Sequence, residues 1–283
     1  MPQLATTSEF VLHGMLACSA LHLAYLYPSE NNFTILAAHH QDLGLPLFRH
    51  AIDNVSKENC HAVLVFTHLL VIYSFAAEKQ DERLFLVEND GPSLMPGWLY
   101  FTRGGCSMLC SVWDYLETGP VADLANCWEL PFTIPHTETE QPLQAYFMAM
   151  IPTQASTEIW SEAICQTYTQ AATELVWAFR CAYLSGDRLT TWDLLRIWPM
   201  RISQDYIVLL SQKHPSALIL LAHYCLLLNK MGSAWFFNDR AERLLLGITY
   251  FLDLKWHWCI QWPIDEIGNF LELLPPLLGS SSG

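Results

Sequence analysis

Two polar side chains in strongly apolar stretches are the first candidates for chemistry in this chain. Arg103 follows Trp98, Tyr100 and Phe101, and a buried guanidinium needs a partner. That partner could be a carboxylate in a structural ion pair, or the carbonyl or hydroxyl of a ligand. His223 lies within "HPSALILLAHYCLLLNK", where it could be an ordinary core histidine or could bind a ligand hydroxyl. We predict that Arg103 and His223 are the polar residues of a site, and the catalytic ones if the protein is an enzyme.

Apolar and aromatic residues are abundant enough to surround such a site. Hydrophobic residues make up 52% of the 283 residues and charged residues 15%, with 11 Trp, 11 Tyr and 14 Phe. This composition must bury a large interior or present apolar surface to a partner or ligand. We predict an internal cavity for a bulky apolar molecule, although plain core packing would account for most of the aromatic residues equally well. The predicted ligand-binding residues are Trp98, Tyr100, Met108, Trp113, Trp177, Trp235 and Asp239.

Motifs for metal-dependent or nucleotide-dependent catalysis are missing from the sequence. There is no Gly-x-Ser-x-Gly, no Gly-x-Gly-x-x-Gly and no P-loop. "NDRAE" begins like a metal motif of ionising terpene cyclases, but Leu246 stands where its closing carboxylate is needed. Cys106 and Cys110 have a spacing that could suit zinc, yet no second pair completes four ligands. We therefore predict no metal and no cofactor.

Charge and hydropathy restrict the partners and the location. The net charge is −14, from 14 basic and 28 acidic residues without a basic cluster, which predicts no direct binding to nucleic acid. The apolar run 9–27 is interrupted by polar residues, and 215–228 is shorter than the ~20 residues of a membrane span. No basic segment precedes the first run, and the nine cysteines are irregularly spaced. These features predict an intracellular, cytoplasmic protein without a membrane span.

The elements that would position these residues are nearly all helices, because two-residue strand periodicity is almost absent. We predict one all-α domain over 1–278, with nine to eleven helices and a flexible tail at 279–283. Residues 214–230 should form its buried central helix. Pro46 should kink or split a helix over 34–55. The other predicted segments are helices at 9–27, 59–77, 98–117, 156–184, 187–197, 202–212, 234–254 and 263–274, a loop at 78–97, and an extended connector or lid at 118–155.

Four segments together resemble a known family. They are "FVLHGMLACSALHLA", "PGWLYFTRG", "WPMRISQDYIVLLSQKHPSALILLAHYCLLL" and "RAERLLLGITYFLD", the last followed by "WHWCIQWPIDEIG". In this order they resemble the C-terminal effector domain of fungal zinc-cluster transcription regulators of the sterol-uptake-control type. The resemblance implies an all-α domain whose apolar cavity takes a sterol-like ligand. The chain departs from the family in having no six-cysteine zinc cluster, and in having Asp239-Arg240 where the family has Gly-Trp.

Three functions are compatible with these features. A stand-alone cyclase would fold a polyene substrate without metal, by proximity and orientation, with Arg103 or His223 as one polarising donor. A nuclear regulator would use the same cavity to sense a sterol, terpenoid or polyketide-like ligand, and a carrier would only bind it. The missing zinc cluster and the Met placed beside the first helix favour the cyclase, with the regulator as the alternative. The expected partner is an apolar small molecule, and a homodimer is left open.

Overall fold

Helices form nearly all of the chain that the structure describes. A computed structural model describes residues 2–30, 32–77, 97–126, 141–153, 159–186, 189–232 and 234–267. These ranges contain fourteen α-helices and no β-strand, which confirms the predicted all-α class. The number of helices exceeds the predicted nine to eleven because several short helices join the long ones, and their few residues leave little periodic signal in the sequence.

The helices are numbered in chain order. The N-terminal half, 2–126, contains α1 (Pro2–Thr7), α2 (Glu9–Leu26), α3 (Asn32–Asp53), α4 (Cys60–Ala77), α5 (Gly97–Leu109), α6 (Trp113–Glu117) and α7 (Ala122–Asn126). The C-terminal half, 141–267, contains α8 (Gln141–Met148), α9 (Glu162–Ser185), α10 (Thr191–Arg196), α11 (Gln204–Ser211), α12 (Pro215–Leu228), α13 (Arg240–Phe251) and α14 (Gln261–Ile267). Short 3-10 helices occupy Cys110–Val112, Asn229–Met231 and Leu254–Ile260.

Local side-chain chemistry explains several helix ends. Thr190 and Asp193 form a reciprocal capping box at the start of α10, which satisfies amide groups that lack a partner within the helix. The side chain of His214 accepts from the amide of Ser216 at the start of α12, where Pro215 is the first helical residue. Gly186 ends α9 with a φ of 53°, in the left-handed region that glycine adopts without steric cost.

A split of the helix at Pro46 and an extended connector over 118–155 are not seen among the described residues. Pro46 lies inside α3, which continues from Asn32 to Asp53 as one helix. The predicted connector 118–155 contains α7 and α8, so its described part is not extended. Its prolines masked the helical pattern there, because they are typical of turns. The predicted loop at 78–97 and the tail at 279–283 fall outside the described residues, apart from Gly97, which begins α5.

The core of the N-terminal half is built around α4. Phe10 of α2, Phe48 of α3 and Phe66 of α4 bring their rings within 4.6–6.0 Å of one another. Gly14 allows α2 to approach α4 closely, because an added Cβ at that position would lie 2.8 Å from the Phe66 ring. The hairpin of α2 and α3 therefore covers one side of α4, and α5 packs against it as well.

The core of the C-terminal half surrounds α12, as predicted for residues 214–230. Every residue from Ser216 to Cys225 is buried. The helices α9, α11, α13 and α14 all pack against α12. This enclosure explains why α12 is apolar on nearly every side, and it confirms the predicted buried central helix.

By length and hydropathy alone, α2 and α4 could each cross a membrane, whereas the sequence analysis considered 9–27 and 215–228. The core helix of a soluble protein meets the same two criteria. Of α4, 67% of the residues are buried by other helices, and its neighbours α2, α3 and α5 are part of the same helical assembly. We therefore interpret α4 as a core helix.

Candidate functional site

His223, predicted as a site residue, is fully buried on α12 and has a defined tautomer. Its Nδ1 lies 2.8 Å from the carbonyl oxygen of Ile219, one helical turn earlier. A carbonyl oxygen only accepts, so Nδ1 carries the proton. Burial lowers the pKa of His223 to about 4, although the hydrogen bond to Ile219 opposes that shift. The ring is therefore neutral at pH 7, and Nε2 is an acceptor.

Tyr146 of α8 supplies the proton that Nε2 of His223 accepts. The tyrosine oxygen lies 3.1 Å from Nε2. Burial raises the pKa of Tyr146 above its usual value, so the hydroxyl stays protonated and donates. The chain Tyr146 to His223 to Ile219 thus runs in one direction, from a half-buried hydroxyl to a buried carbonyl.

Aromatic rings surround this pair on several sides. Trp262 of α14 meets Tyr146 edge-on at 5.8 Å between ring centroids, and Phe179 of α9 stacks on Trp262 at 5.6 Å. Phe147 lies edge-on to His223 at 4.9 Å. We call Tyr146, Phe147, Phe179, His223 and Trp262 the His223 site. Tyr146, Phe179 and Trp262 are only partly buried, so the site combines accessible apolar rings with one polar oxygen.

Sequence analysis missed Tyr146, Phe179 and Trp262. Tyr146 falls in the stretch predicted as a connector, and the sequence contains no signal that would place α8 beside α12. Trp262 belongs to the second Trp-Pro pair, which was noted only as a family feature. The half-buried aromatic pattern of α9 could have indicated Phe179, but not which helix it faces.

Arg103 fastens α5 to the segment before α11. Its guanidinium donates to the carbonyl oxygen of Ile202 at 2.8 Å and also to that of Pro199. Charged donors make strong hydrogen bonds to buried carbonyls, so this contact links the two halves of the chain. The predicted alternatives for Arg103 were a carboxylate or a ligand. The structure shows a third use, backbone carbonyls, and does not test a ligand contact.

Trp98 packs against Tyr224, the residue that follows His223 on α12. Its ring stacks between Phe75 at 5.7 Å and Tyr224 at 6.3 Å, and only 2% of its surface is exposed. Its indole N–H has no acceptor among the residues that the structure describes. Tyr224 in turn donates to the carbonyl of Leu194. Trp98 is thus a core residue, and a role as a ligand contact stays a prediction.

The other predicted ligand-binding residues are dispersed over the molecule. Trp235 stacks on His22 of α2 at 4.7 Å, and Trp177 lies 4.0 Å from the guanidinium of Arg201. Trp113 is half-buried against the N-terminal core. Asp239 is exposed and precedes α13 with a φ of 61°. The side chains of Tyr100 and Met108 lie outside what the structure describes.

A second buried histidine, His68 of α4, repeats the local geometry of His223. Its Nδ1 lies 2.9 Å from the carbonyl oxygen of Leu64, and burial lowers its pKa to about 4. Trp192 meets the ring edge-on at 4.7 Å. The buried ion pair of Asp193 and Arg196, 2.6 Å apart, belongs to the same helix α10 as Trp192.

No metal centre is formed by the side chains that the structure describes. Within those ranges, no group of three or more His, Cys, Asp or Glu could hold a metal ion. The described cysteines Cys18, Cys60, Cys165, Cys181, Cys225 and Cys259 are free thiols. The side chains of Cys106 and Cys110, weighed as a zinc pair, lie outside the described residues.

Comparisons with known proteins identify the relatives of this chain. A family profile described as "Fungal specific transcription factor domain" matches residues 1–107. A Zn(2)-C6 fungal-type transcription factor of Gibberella zeae is 22% identical over 93% of this chain and 55% of its own length. Sterol uptake control protein 2 of Candida albicans is 26% identical over 41% of this chain and 15% of its own length. No solved structure matches.

The resemblance to fungal zinc-cluster regulators is confirmed. A second Zn(2)-C6 fungal-type transcription factor, from Aspergillus fumigatus, is 21% identical over 79% of this chain and 58% of its own length. The chain thus spans little more than half the length of the two transcription factors, and much less of the sterol uptake control protein.

The prediction of a cyclase is wrong, because the matching family profile and the two relatives matched over most of the chain are named as transcription factors and not as enzymes. The catalytic roles assigned to Arg103 and His223 fall with it. The prediction relied on the missing zinc cluster and on the position of the first Met. Neither feature is informative, since the matching region is itself only part of the longer relatives.

Proposed function

We propose that this chain is the ligand-sensing effector region of a fungal zinc-cluster transcription regulator. The observation that carries the proposal is the similarity to a Zn(2)-C6 transcription factor over 93% of the chain. We also propose that the whole regulator recognises DNA and is nuclear. These remain proposals because this chain spans only 55% of the length of that relative. The prediction that the chain itself does not bind nucleic acid still rests on its net charge of −14.

The proposed ligand is a bulky apolar molecule of the sterol class. The His223 site supports it, since half-buried aromatic rings surround one hydroxyl, and ligand sites commonly pair apolar walls with a few oriented polar groups. The names of the relatives from Candida albicans and Saccharomyces cerevisiae, both sterol uptake control proteins, favour a sterol over a terpenoid or polyketide.

A reporter assay tests the regulator and the ligand separately. Residues 1–283, fused to an unrelated DNA-binding domain in a fungal host, should change transcription of a reporter several-fold when sterol synthesis is inhibited. Trp262→Ala should remove this response, because it removes a wall of the His223 site. Trp258→Ala should keep it, because Trp258 lies on the adjoining 3-10 helix with 59% of its surface exposed.

The outcomes of this assay differ for the two parts of the proposal. A stable fusion that never affects the reporter contradicts the role as a regulator. A fusion that activates the reporter equally with and without sterol depletion retains that role and refutes sterol sensing. Equal responses of the Trp262→Ala and Trp258→Ala variants would place the ligand elsewhere.

The outer face of the α2–α3 hairpin supports the homodimer that the sequence analysis left open. The hairpin exposes large apolar side chains on both helices, and such patches are uncommon on monomers. Phe10–Leu26 contains no Asp, Glu, Lys or Arg, so the α2 part of this face has no such charge to repel a second copy, whereas α3 carries Asp42, Arg49 and Asp53. The exposed residues are Leu12, Leu16, Leu23, Leu26, Ile35, Leu36, Leu43 and Leu47.

Light scattering of the purified chain checks the proposed dimer. The unchanged chain should have twice the monomer mass, and Leu16→Glu combined with Leu23→Glu should halve it by adding charge to the face. Tyr183→Glu adds one charge to an 85%-exposed position in the C-terminal half and should leave the mass unchanged. A monomer in all three proteins would refute the dimer.

A further inference from the structure

We propose that the His223 site selects ligands that donate a hydrogen bond, so that it prefers a free alcohol to the matching ketone or ether. This inference rests on the proposed function, because it assumes that an apolar ligand occupies the site. It adds the chemical class of the polar group on that ligand, and it makes Tyr146 the residue that determines specificity.

The direction of the hydrogen bonds begins at a backbone carbonyl. The oxygen of Ile219 can only accept, and it lies 2.8 Å from Nδ1 of His223, so the single proton of the neutral imidazole is on Nδ1. Nε2 then has a lone pair and no proton. It must receive a proton from its neighbour, and that neighbour is the hydroxyl of Tyr146 at 3.1 Å.

Tyr146 has one hydroxyl proton, and His223 uses it. The remaining capacity of the tyrosine oxygen is to accept, because a phenol has one donor and lone pairs on the same atom. A ligand hydroxyl that donates to this oxygen extends the chain without disturbing it. A ligand carbonyl or ether oxygen has only lone pairs to offer, and they would face the lone pairs of the Tyr146 oxygen. Such a ligand gains no hydrogen bond there.

The surroundings should make this difference measurable. The Tyr146 ring is half-buried and in contact with Trp262, Phe147 and the His223 ring. A ligand packed against these rings would keep water away from the Tyr146 oxygen. If that ligand cannot donate a hydrogen bond, the oxygen is left without a partner, which is costly for a buried polar group. We expect an alcohol to bind about tenfold more tightly than its ketone, the size of one hydrogen bond.

The test uses three matched probes: cholestanol, cholestanone and the methyl ether of cholestanol. Their binding is followed by tryptophan fluorescence, to which Trp262 contributes. The unchanged protein should bind cholestanol about tenfold more tightly than the other two. In Tyr146→Phe, the affinity for cholestanol should fall to that for cholestanone, while the affinities for cholestanone and the ether stay the same. Tyr183→Phe, at an exposed position, is the matched control and should change nothing.

His223→Leu provides a reversal that a merely structural role would not produce. Without Nε2, the Tyr146 hydroxyl is free to donate, so cholestanone should gain affinity and the preference for cholestanol should disappear. If this variant does not fold, Tyr146→Phe still decides the question. Equal binding of the alcohol and the ketone by the unchanged protein would overturn the inference while retaining the apolar ligand. Binding of none of the probes would instead refute the proposed sterol ligand.

Discussion

The two most apolar helices, α4 and α12, show how the same sequence pattern can serve two different surroundings. Both are buried over most of their length, and both contain one histidine whose Nδ1 donates to the carbonyl four residues earlier. The C-terminal half encloses α12 with four helices. In the N-terminal half, α4 is covered by a hairpin that is itself apolar on its outer side.

We propose that the two halves have different tasks. The C-terminal half places its histidine beside a half-buried tyrosine and accessible rings, an arrangement suited to a small ligand. In the N-terminal half, His68 lies beside Trp192 of the other half, and α2 and α3 expose leucines, which suits a protein partner. Arg103 and the stacking of Trp235 on His22 connect the halves, so we expect ligand and partner binding to influence each other.

The largest effect should come from removing a side chain in the enclosed helix. Leu220 is completely buried on α12, so Leu220→Ala should lower the free energy of unfolding by about 2–5 kcal/mol through lost burial and the cavity left behind. Leu16→Ala, at a 40%-exposed position on the outer face of α2, should cost the monomer much less, and any further cost that grows with protein concentration belongs to the proposed dimer. Urea denaturation of the two variants measures this. Equal costs would show that the hairpin face is as enclosed as α12.

The buried histidines should make the protein less stable in mild acid. The pKa of both His68 and His223 is lowered from 6.5 to about 4 by burial. Between these values the unfolded chain binds a proton and the folded chain does not, so stability falls as the pH falls from about 6.5 towards 4. Going from pH 7 to pH 5 should cost about 2 kcal/mol for each histidine.

Urea denaturation at the two pH values checks this prediction. His223→Leu and His68→Leu should each remove about half of the loss assigned to the pair, because a leucine has no proton to bind. If only one of the two variants reduces the pH dependence, His68 and His223 are not equally buried. The likeness between α4 and α12 would then not extend to their histidines.

A smaller effect should follow from the close approach of α2 to α4. An alanine Cβ at position 14 would lie 2.8 Å from the Phe66 ring, which is held among other phenylalanines. Gly14→Ala should therefore destabilise the protein by about 1–3 kcal/mol. Gly104→Ala, where a Cβ meets nothing within 4 Å, should instead stabilise α5 by about 0.5–1 kcal/mol. Thermal or urea unfolding of both variants distinguishes strain from helix propensity, and a stabilised Gly14→Ala would contradict the strain.

Much of the fold follows from local patterns in the sequence. Continuous apolar runs predicted α2, α4 and α12. The end of α9 was predicted at 184, next to its last residue Ser185, but its start was predicted at 156 and lies at Glu162. The short helices α1, α7 and α8 escaped prediction, because five to eight residues make only about one and a half to two helical turns. Pro46 does not split α3, because packing of α3 against α2 holds the helix together despite the lost hydrogen bond.

The candidate site, like the fold, could be predicted only in part from the sequence. The sequence by itself indicated that His223 would be buried, since it lies in a helix that is apolar on nearly every side. The order of the sequence motifs also predicted the resemblance to fungal zinc-cluster regulators. Only the tertiary structure decided which rings would meet. Helix packing brings α8, α9 and α14 to α12 from distant positions in the chain. Neither residue type nor spacing predicts such contacts, because they depend on how whole helices fit against one another.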